Sequence, residues 1–129
     1  RGPQLHPQLR RAENARVIGI STAFTRITSP AHVAYTASKA GLEGALRTIA
    51  PELGTRGITV NTIAPGPIDT EINSDWINAP GAREAVAAEA ALGRIGQPED
   101  VADVVRFLAS DAGRFVTGQR LEASGGARL

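Results

Sequence analysis

Two short apolar runs, held apart by a long helical stretch, constrain this chain more than any other feature. Residues 17–21 form a short run, apolar through Ile20 and bounded by polar residues. They read as a buried parallel strand, because a strand covered on both faces is continuously apolar rather than alternating. Residues 58–64 hold Ile58, Thr59, Val60, Thr62 and Ile63, a β-branched set that favours a second such strand. Between them, residues 33–53 read as the main helix. Residues 98–109 form an amphipathic pattern with Val101, Val104, Val105 and Leu108 on one stripe. Pro98 suits a first helical turn, and Glu99 and Asp100 suit the positive end of the helix dipole. Residues 119–123 read as a short last strand. Strand, helix, strand, helix, strand implies right-handed parallel crossovers and an α/β sheet covered on both faces.

The main helix has an unusually small face: Ala34, Ala37, Ser38, Ala40, Gly41, Gly44 and Ala45. Such a face admits a second helix or a cofactor, or else packs tightly on the sheet; the sequence leaves both open. Pro51 removes one backbone hydrogen bond, so a kink or a weakened last turn is expected there. Gly54 and Gly57 then end the helix. Residues 4–11, with Leu5 and Leu9 four apart, read as the end of an earlier helix. Residues 23–32 read as a loop and residues 65–70 as a rigid turn.

Composition fits one domain over residues 1–129. The apolar fraction is 42%, the charged fraction 21% and the formal net charge +1. That balance gives no electrostatic case for nucleic acid or for an anionic membrane. Arg10 and Arg11 form the one small basic cluster, read as a solvated helix end. With no cysteine there are no disulfides and no thiolate metal sites. His6 and His32 lack metal spacing with carboxylates and read as ordinary surface or loop residues. No apolar run approaches transmembrane length and the start has no apolar signal core. A cytoplasmic location is therefore the expectation.

The candidate chemistry centres on Tyr35 and Lys39, four apart and so stacked on one helix face. An ammonium beside a phenol favours the phenolate, and a phenol tuned that way exchanges protons near neutral pH. Ligands of open α/β sheets bind beyond the carboxyl ends of the strands. Thr22 and the Pro65-Gly66 turn both fall at such ends. The Thr22 hydroxyl, the Tyr35–Lys39 face and that turn are thus expected around one crevice.

Further motifs extend the pattern: Val17-Ile18-Gly19-Ile20-Ser21-Thr22, Val60-Asn61-Thr62-Ile63-Ala64-Pro65-Gly66-Pro67-Ile68-Asp69-Thr70, Gly93-Arg94-Ile95-Gly96-Gln97-Pro98-Glu99-Asp100, Thr117-Gly118-Gln119 and Ser124-Gly125-Gly126. In this order and spacing the chain resembles the short-chain dehydrogenase/reductase family from about Ala15 to Leu129. It resembles only the family's C-terminal half. The resemblance implies the C-terminal part of a Rossmann-like doubly wound parallel sheet, with about three parallel strands and flanking helices. It also implies hydride transfer between NAD or NADP and a small-molecule carbonyl or secondary alcohol.

By the same resemblance, Tyr35 is the acid or base, and Lys39 lowers the phenol pKa and binds the nicotinamide ribose. A serine orients the substrate oxygen thirteen residues before the tyrosine, where this chain has Thr22. Threonine keeps the donor hydroxyl, and its extra methyl stiffens χ1. Ser21 is the fallback, although strand alternation points it to the opposite face. Pro65, Gly66, Ile68 and Thr70 match the family's cofactor turn. Backbone at Ile68 would meet the carboxamide, Thr70 the phosphates, and Gly66 would permit close approach. Asn61 would be structural. Ser124 stands where many relatives have Asp, a change expected to affect packing. Residues 71–92 match the family's variable lid, in which Trp76 and Ile77 are either pocket wall or core.

The family's glycine-rich phosphate loop, its NAD-or-NADP selecting residue and its catalytic asparagine have no counterpart in this sequence. The chain is therefore expected to be a fragment whose first strand has a bare edge, needing a missing N-terminal half or a homo-oligomer to cover it. The competing reading is a truncated, non-catalytic remnant or oligomerisation module.

Overall fold

The structure is a computed structural model and describes residues 14–129, so the helix end expected over residues 4–11 lies outside the described residues. Three strands, β1 (Arg16–Ile20), β2 (Thr59–Pro65) and β3 (Arg120–Ala123), form one sheet in the order β1-β2-β3. Both pairings are parallel, with Ile20 level with Ile63 and Ala64 level with Glu122. Each crossover carries helix: α1 (Val33–Gly54) between β1 and β2, then α2 (Ser74–Ile77), α3 (Ala82–Glu89) and α4 (Pro98–Ala109) between β2 and β3. The α/β reading holds, and the bounds of β1, α1, β2, α4 and β3 match the sequence to within a residue; α2 and α3 fall in residues 71–92, where the sequence placed only a variable lid.

Strand alternation sorts the side chains onto the two faces. Val17 packs with Leu46, Ile49, Ala50, Leu53, Ile58 and Val60 in the core beneath α1. Gly19 faces the same way: a Cβ there would collide with Leu46 Cδ1, so the missing side chain leaves room for Leu46 of α1. The central strand β2 is buried from Thr59 to Ala64, as a strand covered on both sides should be. Its polar Asn61 is satisfied internally. The side-chain amide donates to Val116 O at 2.8 Å, and Oδ1 accepts from Gln119 N at 3.1 Å. Asn61 is thus the structural residue that the sequence implied.

The small face of α1 does not pack on the sheet. Ala34, Ala37, Ser38, Ala40, Gly41 and Ala45 are exposed, and a Cβ at Gly41 would meet nothing within 4 Å. Tight helix-on-sheet packing is therefore ruled out for that stripe; the sheet side is made by Leu46, Ile49, Ala50 and Leu53. The helix also runs through Pro51 and ends only at Gly54. Gly57, at φ +73°, then turns the chain back toward β2.

A charged network ties β3 to the loop after β1. Arg26 grips Glu122 with two bonds, Nε to Oε1 at 2.8 Å and Nη2 to Oε2 at 2.7 Å. The fork from Arg26, the Ser124 hydroxyl and Arg120 together hold the Glu122 carboxyl down at about 2. A carboxylate depressed in the fold adds stability above its unfolded value of about 4.3, and that stability is lost as pH falls toward 2. Acid unfolding of Glu122→Gln should therefore show a flatter pH dependence than wild type between about pH 4 and 2. Parallel melting curves across that window would count against it.

Candidate active site

Parallel pairing puts the carboxyl ends of β1 and β2 side by side. Ser21 N donates to Ile63 O at 2.7 Å, continuing the ladder, so the chain leaves both strands at one level. From there β1 runs into Thr22 and a short 3-10 turn, Ala23–Thr25. β2 runs into Gly66, Ile68 and Thr70.

Thr22 caps the 3-10 turn. Its backbone is extended, and its Oγ1 accepts from Phe24 N at 3.2 Å. The residue is 8% exposed. An oxygen that already accepts from the backbone keeps its own proton for donation. Ser21 is engaged differently. Its hydroxyl donates to Glu43 Oε2 at 2.5 Å, on the α1 side of the sheet. Ser21 thus faces α1, as strand alternation requires, and its hydroxyl proton is committed to a carboxylate.

Tyr35 stands near the start of α1 and is 44% exposed. Its hydroxyl makes no hydrogen bond to the described residues. Lys39 lies one turn further along, with Nζ 5.9 Å from the centre of the Tyr35 ring. The same Nζ donates to Ile20 O at 2.9 Å, fastening the helix to the end of β1. An ammonium has three donors, so two remain.

His32 was read from sequence as an ordinary loop residue, and it is exposed in the 3-10 turn Pro30–His32. It also bridges the site. Its ring stacks on Phe24 at 4.9 Å between centroids and meets Tyr35 edge-on at 6.4 Å. This aromatic chain joins the Thr22 turn to the Tyr35 face. No sequence spacing signals it, because Phe24 and His32 meet only when the loop folds.

The turn after β2 is shaped by packing. Gly66 is needed for a close neighbour within the fold: a Cβ there would stand 2.7 Å from Ser124 Cβ and 2.9 Å from Ser124 Cα. Ile68 is buried, and its carbonyl accepts from Asn73 Nδ2 at 2.8 Å. A carbonyl oxygen has a second lone pair for another donor. The Thr70 side chain makes no cap bond to the turn Glu71–Asn73 that it opens. In the lid segment Ile77 is fully buried, hence core, whereas Trp76 is 43% exposed. Ser124 donates to Glu122 Oε2 at 2.5 Å and accepts from Ala127 N at 3.2 Å, the packing role expected for it.

The sequence reading missed Glu43, Arg120 and Glu122. Glu43 lies four residues beyond Lys39 on one helix stripe, and Arg120 and Glu122 are two apart on one face of β3. Charges on a strand beside the core are unusual unless paired, which was the available signal. Burial raises the Glu43 carboxyl, but hydrogen bonds from Ser21, Thr25 and Arg120 outweigh it and leave the group lowered.

A family described as enoyl-(acyl carrier protein) reductase matches residues 4–128. The chain belongs to the short-chain dehydrogenase/reductase family. Among its relatives is the 3-oxoacyl-(acyl-carrier-protein) reductase FabG of Pseudomonas aeruginosa, 43% identical over 116 residues, covering 90% of this chain and 46% of that protein. The NADPH-dependent aldehyde reductase-like protein of Arabidopsis thaliana is 41% identical over 92% of this chain and 44% of its own length. Among solved structures, the promiscuous reductase LugOII, which catalyses keto-reduction at C1 in lugdunomycin biosynthesis, superimposes with a TM-score of 0.84 at 40% identity. It covers 94% of this chain and 47% of that one. The angucycline C-6 ketoreductase LanV with bound NADP gives 0.83 at 39% identity, over 91% and 45%. The chain spans less than half the length of these relatives. The three-stranded sheet is thus a Rossmann-like short-chain dehydrogenase/reductase sheet. No helix among the described residues is long and apolar enough to cross a membrane.

Proposed function

We propose that this chain carries the proton-transfer site of an NAD(P)-dependent oxidoreductase acting between a carbonyl and a secondary alcohol. The observation that carries the reading is the set of donors at one sheet end: the Tyr35 hydroxyl, the Lys39 ammonium fixed to Ile20 O, and the Thr22 hydroxyl with its proton to give.

Each group has a distinct task. Thr22 donates a hydrogen bond to the substrate oxygen and orients the carbonyl. Tyr35 gives its phenolic proton to that oxygen during reduction and takes it back during oxidation. Lys39 keeps a positive charge 5.9 Å from the ring that turns anionic when the proton leaves. A bound nicotinamide supplies or accepts the hydride. The donor set fits that cofactor: Lys39 has two donors left for a ribose diol, and the Thr70 side chain is uncommitted as a cap. Tyr35, Lys39, Pro65, Gly66, Ile68 and Thr70 are the residues that would hold it. The cofactor is NAD or NADP; LanV was solved with NADP, and the Arabidopsis relative is named NADPH-dependent. The substrate is a small carbonyl or alcohol compound.

The test is direct. Titrating the chain into NADH or NADPH should change nicotinamide fluorescence, and a ketone should then be consumed. No response to either cofactor would favour the remnant or oligomerisation reading.

A further inference from the structure

We propose that Arg120, clamped by Glu43, is the positioning residue that fixes Thr22. The inference rests on Thr22 being the hydroxyl that orients the substrate carbonyl. Arg120 comes from β3, two strands away from the chain end it holds. Its Nη2 donates to Thr22 O at 3.2 Å. The same nitrogen donates to Thr25 Oγ1 at 2.9 Å, and Nε reaches that oxygen at 3.2 Å. One guanidinium therefore grips both ends of the 3-10 turn that Thr22 caps.

Glu43 keeps the guanidinium in place. Its Oε1 lies 3.1 Å from Arg120 Nε. Its Oε2 accepts from Ser21 Oγ at 2.5 Å and Thr25 Oγ1 at 2.7 Å. Thr25 has a single hydroxyl proton. Glu43 is nearer than Thr22 O, at 3.1 Å, and it is charged, so the proton goes to Glu43. Thr22 O is thereby left to Arg120 and to Thr25 N, whose bond is a long 3.3 Å. Side-chain exposure is 27% for Arg120 and 12% for Glu43, so water competes weakly for these bonds.

The consequence is geometric. Glu43 shares a helix face with Tyr35 and Lys39, at steps of four residues. The helix that presents the acid thus also grips the loop that presents the orienting hydroxyl. With the Thr22 carbonyl held by Arg120 and its Oγ1 held by Phe24 N–H, only the hydroxyl proton can still turn. A planar five-donor fork suits that task, and a lysine ammonium does not.

The readout is amide hydrogen exchange in the full chain, with Phe24 as reporter because its N–H donates to Thr22 Oγ1. Arg120→Met should speed Phe24 exchange by about tenfold while the Thr59 and Ile63 amides, which face β1 in the ladder, keep their protection. Glu43→Gln, nearly the same shape, should give the same local signature, and Arg120→Lys should fail to restore it. Where turnover is measured, Arg120→Met should lower kcat and leave the cofactor KM unchanged. Unaltered Phe24 exchange in both variants would overturn the proposal. So would a rise at Phe24 that merely tracks Thr59 and Ile63, since that reports lost global stability. Failure of the wild-type chain to bind either nicotinamide cofactor overturns the functional reading instead, and Phe24 exchange still decides the positioning one.

Discussion

Tyr35→Phe should lower turnover by about 10²- to 10⁴-fold, the usual contribution of a positioned acid or base. The substitution removes one oxygen and nothing else. That hydroxyl makes no hydrogen bond to the described residues, so its loss leaves no buried group without a partner. The ring keeps its edge contact with His32 at 6.4 Å, and Lys39 keeps its bond to Ile20 O. Melting temperature should therefore stay close to wild type while the chemical step fails. A variant with unchanged kcat would remove Tyr35 from the mechanism. A variant that loses cofactor affinity with kcat unchanged would place the hydroxyl in binding alone.

Leu108→Ala should cost about 3–5 kcal/mol, toward the upper end for a leucine truncated in a core. Leu108 lies on α4 and is fully buried. The site cannot collapse to fill the gap, because the turn Asp111–Gly113 folds back on the same stretch. A Cβ at Gly113 would stand 2.7 Å from Phe107 O and 2.9 Å from Leu108 Cα. Backbone that close has no slack to follow a shortened side chain. Small domains have about 5–15 kcal/mol in all, so the variant should be close to unfolding. Chemical denaturation measures the loss directly; a cost below about 1 kcal/mol would mean that Leu108 does not anchor α4 against β1 and β2.

The architecture was legible because it depends on local patterns. Continuous β-branched runs marked β1 and β2, a 3.6-residue stripe marked α4, and the motifs fell at strand ends where the topology required them. Tyr35 and Lys39 were legible for the same reason, since four residues on a helix fix a shared face. The small stripe of α1 was not resolved by pattern alone, because apolar small residues look alike against a sheet and against solvent. The role of Gly66 was half legible. Its need for open space was clear, but Ser124, its neighbour, is 58 residues away along the chain.

The sequence by itself determined the three strands, their parallel order, the two long helices and the shared helix face of Tyr35 and Lys39, because periodicity and turn chemistry act over a few residues. Only the tertiary structure decided that Ser21 gives its proton to Glu43 while Thr22 keeps its own. It alone decided too that Arg120 reaches from β3 to the loop after β1, and that His32 joins Phe24 to Tyr35. Those pairings join residues distant along the chain or across an irregular loop. Hydrogen bonds and ring contacts depend on distances and angles that exist only once the sheet has brought its strand ends level.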